Sequence, residues 1–295
     1  MDHVTSPPSQ PLQAAKWMVG AILSFTTMAI AGRAVTPYLD TFEIMTFRSL
    51  FGLLLVLVIA GYRGRLQEIR TNRLGTHILR NVFHFSGQNL WFYSMTLIPL
   101  AQLMALEFSY PIWVALVAPL FLAERLTRTR LAAALIGFVG ILVIVRPGMA
   151  AMNVGTLTAI LSSVGFAGSA IVTKKLIRDQ SITCILFWLA LLQLIFGLVT
   201  SALDGVITLP EGRQWAWIVL IAVAGICAHF SVTKALSLAP ASIAIPMDFA
   251  RLPVIAIVAA IIYGEPLDPF VFLGGLLILG AIFTLIREKP APEIP

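Results

Sequence analysis

LIPLAQLMALEFSYPIWVALVAPLFLAERL, residues 97–126, runs on through an apolar stretch to Arg146, and a shifted copy returns between Leu238 and Arg287. Sliding the chain by 141 residues superposes the two with eleven identities in fifty positions. Apolar bias alone produces part of that overlap, so the polar matches carry the weight. Pro99 meets Pro240 in a turn, Glu107 meets Asp248 inside an apolar run, Glu124 meets Glu265 at the end of one, and Arg146 meets Arg287. Upstream, at a slightly different offset, Ala31-Gly32 pairs with Ala167-Gly168. The chain reads as one unit written twice.

The unit belongs in a membrane. Of 295 residues, 59% are hydrophobic and 12% charged, which leaves too little polar surface to cover a globule. Mean hydropathy is +0.92. The apolar residues fall in runs long enough to cross a hydrocarbon layer about 30 Å thick as helices, not in the alternation of a barrel. Ten spans are predicted, at about 17–35, 42–60, 77–97, 101–122, 130–146, 154–173, 182–203, 214–237, 242–263 and 269–286. The fold class is all-α and polytopic, and because five helices per copy is an odd number, the second copy is inverted. The units are 14–148 and 149–288, between tails 1–13 and 289–295 that Pro7, Pro8, Pro11, Pro290, Pro292 and Pro295 are expected to keep from helix. The longest connection, Tyr62 to Thr76, has no room for a soluble catalytic or ATP-hydrolysing domain.

The net charge of +6 does not point to nucleic acid, because the basic residues sit in short loops beside the spans. With the N-terminus inside, thirteen Lys and Arg fall on the cytoplasmic side, from Lys16 to Lys289, against Arg33, Arg146 and Arg213 opposite. Both termini are expected in the cytoplasm. Cys184 and Cys227, the only cysteines, lie in apolar runs and imply no disulfide.

The stretch Pro99-Leu100-Ala101 through Tyr110-Pro111-Ile112-Trp113 to Leu122-Ala123-Glu124-Arg125-Leu126, then Gly137, Gly140 and Arg146-Pro147-Gly148, closely resembles the signature of the drug/metabolite transporter superfamily, in its ten-helix EamA-type branch. A weaker copy stands at Pro240, Glu265-Pro266-Leu267 and Gly274-Gly275; most of the family has glycine where Ala123 stands here. Within the branch, Arg80-Asn81-Val82-Phe83-His84-Phe85 and Gln88-Asn89-Leu90-Trp91-Phe92-Tyr93 resemble bacterial exporters of aromatic and other neutral amino acids. The resemblance implies a multi-pass protein of the bacterial cytoplasmic membrane, with no cofactor and no enzymatic step.

Polar groups inside spans are costly unless they are paired or face water, which makes them functional candidates. In the third span His77, Arg80 or Asn81, His84, Gln88 and Trp91 recur every three or four residues, a stripe expected to face a wet cavity. His77 and His84 are seven apart with no third ligand near, so no metal site is expected. The eighth span, its equivalent, carries His229, Thr233 and Lys234, with His229 opposite Gln88–Asn89. The fourth offers Glu107, Tyr110 and Trp113, interrupted by Pro111; the ninth offers Asp248 and Arg251 between Pro246 and Pro253. Interrupted helices at equivalent positions of two repeats point to a binding site and its moving parts. Purely structural pairings stand beside that reading: Arg251 or Lys234 with Asp248, and Arg48 with Glu107. Ser24, Thr27, Ser162, Phe166, Ser169 and Thr173 suit either a cavity wall or close helix packing, and the fifth and tenth spans read as peripheral scaffold or a dimer face.

These residues predict a carrier working by alternating access on a small-molecule substrate, with membrane lipid around it, no nucleic-acid partner, and a monomeric or homodimeric state. The substrate is expected to be an amino acid, aromatic ones included, moving outward. His84, Gln88, Trp91, Tyr110, Phe166, His229 and Thr233 would bind it, and Arg48, Glu107, Pro111, Lys234, Asp248 and Arg251 would gate or couple its movement. The alternative is another metabolite or drug, such as a nucleobase, vitamin or cationic compound. A lipid-modifying enzyme would need paired carboxylates or a metal motif at one membrane face, and none is visible.

Overall fold

The computed structural model describes residues 10–110, 112–114, 116–117, 127–146, 153–203, 207–239 and 245–286. Among them ten α-helices can be delimited: α1 Pro11–Val35, α2 Thr41–Tyr62, α3 Leu74–Leu97, α4 Leu100–Glu107, α5 Arg128–Val145, α6 Val154–Leu176, α7 Ile182–Ser201, α8 Gln214–Leu238, α9 Arg251–Tyr263 and α10 Pro269–Ile286. Their starts are written in the sequence. Asp40 and Glu43 close a reciprocal capping box on α2, and the side chains of Asn153 and Ser181 accept the first free N–H groups of α6 and α7. One boundary departs from expectation: α1 starts at Pro11, six residues before the predicted span. Proline is excluded from helix interiors but suits a first turn, whose N–H groups lack carbonyl partners anyway.

The repeats interleave. α1 packs on α8, α3 on α6, α2 on α7, α5 on α10 and α4 on α9, so every principal contact joins the two copies. A twofold relation between the units maps α1·α8 onto α6·α3 and the other three pairs onto themselves, which is the pattern of an inverted repeat. Small residues make the approach close. A Cβ on Gly165 of α6 would lie 2.8 Å from the Gly87 Cα of α3, and one on Gly274 of α10 would lie 2.6 Å from the Gly140 carbonyl oxygen of α5. Gly140 of α5 and Gly274 of α10 thus serve a contact between helices of the same chain.

Five helices, α1, α2, α6, α7 and α8, are long and apolar enough to span a membrane on those criteria alone. In α3 the distribution is inside out: Ile78, Leu79, Val82 and Phe83 are exposed, whereas His77, Arg80, Asn81, His84 and Gln88 are buried. In lipid the apolar face is the one that belongs outside.

The fourth and ninth spans are broken at equivalent places. α4 stops at Glu107, Phe108 and Ser109 form a turn, and helix resumes at Tyr110. In the second copy a 3-10 turn, Ile245–Ala250, gives way to α9 at Arg251, which the 141-residue offset equates with Tyr110. Pro111 itself lies outside the described residues, as do Glu124, Pro240 and Arg287.

Polar contacts tie both ends of the bundle. Glu265 accepts the backbone N–H of Leu100 at 2.6 Å and pairs with Arg33 at 3.1 Å. It therefore does for the first turn of α4 what Pro99, without a capping side chain, does not. Arg146, stacked on Phe270, pairs with Asp268, and Tyr263 donates to the Ile30 carbonyl at 2.7 Å. At the opposite end Arg73 pairs with Asp179 at 2.6 Å and Thr71 donates to Gln180 at 3.0 Å, while Ala14, Met18, Ala235, Leu236 and Ala239 form an apolar cluster.

Candidate functional site

Between these ends α1, α3, α6, α8 and the broken spans enclose a cavity of about 120 Å³, room for several water molecules. The i, i+4, i+8, i+11 spacing of Arg80, His84, Gln88 and Trp91 points four side chains of α3 into it. α6 contributes Phe166, Ser169 and Thr173; α8 contributes His229 and Thr233; the broken spans contribute Glu107, Tyr110, Asp248 and Arg251. All seven residues expected to bind substrate line this one space.

The predicted stripe of α3 divides in two. Asn81 donates to the Trp188 carbonyl at 3.3 Å and accepts from Gln193 at 3.1 Å, so it fastens α3 to α7. His77 faces Cys184 and Trp188, away from the cavity. The other stripe faces the cavity. The rings of His84 and His229 meet edge to face with centroids 4.8 Å apart, and Nε2 of each, like Gln88 Oε1, is buried without a described partner. Phe166 packs on His84 at 5.8 Å and Phe25 on His229 at 5.8 Å. The site therefore offers aromatic faces with unspent hydrogen-bonding atoms between them, the pattern of a ligand pocket rather than a dry core.

Opposite stands an ionic cluster. The Arg251 guanidinium bonds Glu107 and Asp248, both at 2.8 Å, and the Trp91 indole donates to the second Glu107 oxygen at 2.7 Å. The same guanidinium lies over Phe25 and Phe108, 4.6 and 5.1 Å from their centroids. The helix breaks bring this about: Glu107 ends one helix and Arg251 begins another, so the two repeats meet through side chains at their interrupted ends.

Of the pairings expected from sequence, Arg251 with Asp248 is present, and two others are corrected by this geometry. Glu107 is held by Arg251 rather than Arg48, whose described polar contact is Met45 Sδ at 3.5 Å. Asp248 is held by Arg251, three residues on, rather than by Lys234, which is half-buried and does not line the cavity. Depth along a span was the ground for both pairings, and depth does not fix which way a helix turns its side chains. Ser24, Thr27 and Ser162 also stay out of the lining; Thr27 and Ser162 bond carbonyls of their own helices. Phe25, Met18 and Met28 of α1 were missed as lining residues. As apolar residues in an apolar span they carry no signal that separates cavity from lipid.

The comparisons agree with this architecture. Residues 12–146 and 153–287 each match the EamA-like transporter family, and the chain belongs to it. A riboflavin transporter of Brucella anthropi is 33% identical over 230 residues, covering 75% of this chain and 80% of its own. An S-adenosylmethionine uptake transporter of Rickettsia felis is 26% identical over 276 residues, 93% of each chain. A riboflavin transporter of Vibrio cholerae is 28% identical over 275 residues, 91% of each. A solved crystal structure aligns with a TM-score of 0.67 over 92% of this chain and 96% of its own, at 17% identity, a likeness of fold alone. The relatives' names fit the metabolite alternative better than an amino-acid exporter.

Proposed function

We propose that this EamA-type protein is a secondary transporter that takes up a small metabolite built on a heteroaromatic ring, of the nucleoside or vitamin kind. The observation that carries the reading is the lining itself: Phe25, Trp91, Tyr110 and Phe166 offer aromatic faces, while His84, Gln88 and His229 hold unpaired atoms suited to the ring's donor and acceptor edge. Arg251 binds one oxygen of each carboxylate, and Asp248 Oδ1, without a described partner, is one more acceptor for a donor on the ring edge. Relatives named as riboflavin transporters and as S-adenosylmethionine uptake transporters support the ring, and the latter name supports the inward direction.

In this reading His84, Gln88, His229 and Thr233 orient the ring, and the aromatic residues cover its faces. Transport follows from the inverted repeat. Opening one end and then the other exchanges the conformations of two copies of one unit, and the helix breaks at Glu107 and Arg251 are the joints. One guanidinium holds both carboxylates across the repeat boundary, which supports a structural role for them and a facilitator driven by the substrate gradient.

The test is counterflow in vesicles of purified protein with labelled riboflavin, adenosine, S-adenosylmethionine and phenylalanine. Exchange of a ring compound without exchange of phenylalanine is expected, and phenylalanine as the sole substrate would reverse the assignment. An imposed pH gradient is expected to leave the final distribution unchanged.

A further inference from the structure

The charges around the cavity are not evenly placed. On the wall made by the broken spans, one guanidinium holds two carboxylates. On the wall made by α3 and α6, Arg80 is 5% exposed and meets only neutral oxygens: its Nε donates to Thr173 Oγ1 at 3.3 Å and its Nη1 to Asn81 Oδ1 at 3.3 Å. Among the described residues no carboxylate reaches it.

A guanidinium presents five N–H groups, and the remaining Nη donors of Arg80 have no described protein partner. An unneutralised cation at membrane depth is costly unless it faces water or an anion. Its surroundings hold it in place. The Thr173 hydroxyl gives its proton to the Ser169 carbonyl at 2.7 Å, which leaves its lone pairs for Arg80 Nε. Ser169 lies on the same wall, and His84, one turn along α3, carries an unpaired Nε2. A second guanidinium, Arg48, is also buried without a described acid; its Nη2 borders Gly225 beside Met28, a cavity residue. The α3 side of the cavity is thus electropositive, and the opposite side holds an excess of carboxylate.

We infer that Arg80, positioned by Thr173 and flanked by Ser169, is an oxyanion subsite, and that it takes a carboxylate or phosphate carried by the transported molecule. The inference rests on the heteroaromatic reading above only for the body of the substrate. Planar oxyanions suit the guanidinium fork, and in a water-poor site a charge-assisted bond to it discriminates strongly against a neutral isostere.

Matched ligand pairs test this directly: nicotinate against nicotinamide for a carboxylate, flavin mononucleotide against riboflavin for a phosphate, and phenylalanine against its methyl ester for an anion without a heteroaromatic ring. Binding to the purified protein is read from the fluorescence of Trp91 and its neighbours. The wild type is expected to prefer the anionic member of at least one pair by roughly tenfold or more. Arg80→Gln is expected to bring that ratio close to one while neutral ligands bind as before, and Arg80→Lys to keep part of it. Should Arg80→Gln not fold, Thr173→Val, which removes the positioning contact, is expected to lower the ratio. A preference untouched by these changes, or no Arg80-dependent binding of any anion, overturns the subsite. Arg80-dependent preference for phenylalanine over its ester with no ring compound bound would keep the subsite and discard the substrate class. Ring compounds bound equally in both charge forms would do the reverse.

Discussion

Arg251 donates to Glu107 across the boundary between the repeats at 2.8 Å, from the residue where α9 begins to the residue where α4 ends. The pair is 2% and 10% exposed, so neither charge is cancelled by solvent. Losing one partner of such a pair leaves a buried charge uncompensated, which costs about 3–5 kcal/mol. Arg251→Met removes the cation from two carboxylates at once and is expected to lower the thermal midpoint in detergent markedly. Glu107→Gln should do less harm, because Asp248 still holds Arg251 and an amide oxygen can accept from Trp91. Equal midpoints for Arg251→Met and wild type would show that the cluster does not hold the repeats together.

His84 and His229 meet edge to face, and neither Nε2 has a described partner. If these atoms and Gln88 Oε1 bond the substrate, single alanine substitutions are expected to weaken apparent affinity by about 0.5–1.5 kcal/mol each, roughly two- to tenfold. Expression and thermal midpoint should stay near wild type, since no described protein bond to those atoms is lost. Full transport in all three variants would make the stripe a helix-packing device.

Part of this site was legible from residues alone. The offset of 141 residues aligns the two helix breaks, and the period of α3 brings Arg80, His84, Gln88 and Trp91 onto one wall. What the sequence left open was rotation. Arg48 and Glu107 lie at comparable depths, yet Arg251 holds Glu107, because a side chain's reach depends on which helices abut and how each is turned. Interleaving of the copies was equally hidden: apolar faces are alike toward lipid and toward another helix, so hydropathy does not say that α1 seeks α8 rather than α2.

Gly87 and Gly165 bring α3 and α6 into backbone contact beside two cavity residues, Gln88 and Phe166. A Cβ on Gly165 would come within 2.9 Å of the Phe83 carbonyl oxygen as well as 2.8 Å of the Gly87 Cα, so backbone must move. Gly165→Ala is expected to cost about 1–3 kcal/mol by overpacking and, by displacing Phe166, to weaken substrate binding too. Gly280, with nothing near its would-be Cβ, supplies the contrast: Gly280→Ala is expected to leave both stability and binding unharmed.

Glu265, just past the end of α9, binds Arg33 of α1 and the first turn of α4, and it is expected to act as a latch at that end of the bundle. Glu265→Gln keeps an oxygen for the Leu100 N–H but removes the ion pair, whose partners are 25% and 9% exposed, and it should favour opening at that end by a modest factor, about two- to fivefold. The reporter is Ser169→Cys on the cavity wall, in a background with Cys184→Ala and Cys227→Ala, labelled by a membrane-impermeant maleimide. On the orientation predicted by the thirteen-to-three division of basic residues, the latched end faces out of the cell. Labelling of intact cells is therefore expected to rise in Glu265→Gln. A rise seen only in inverted vesicles would reverse the orientation, and no rise from either side would mean that this ion pair stays closed throughout the transport cycle.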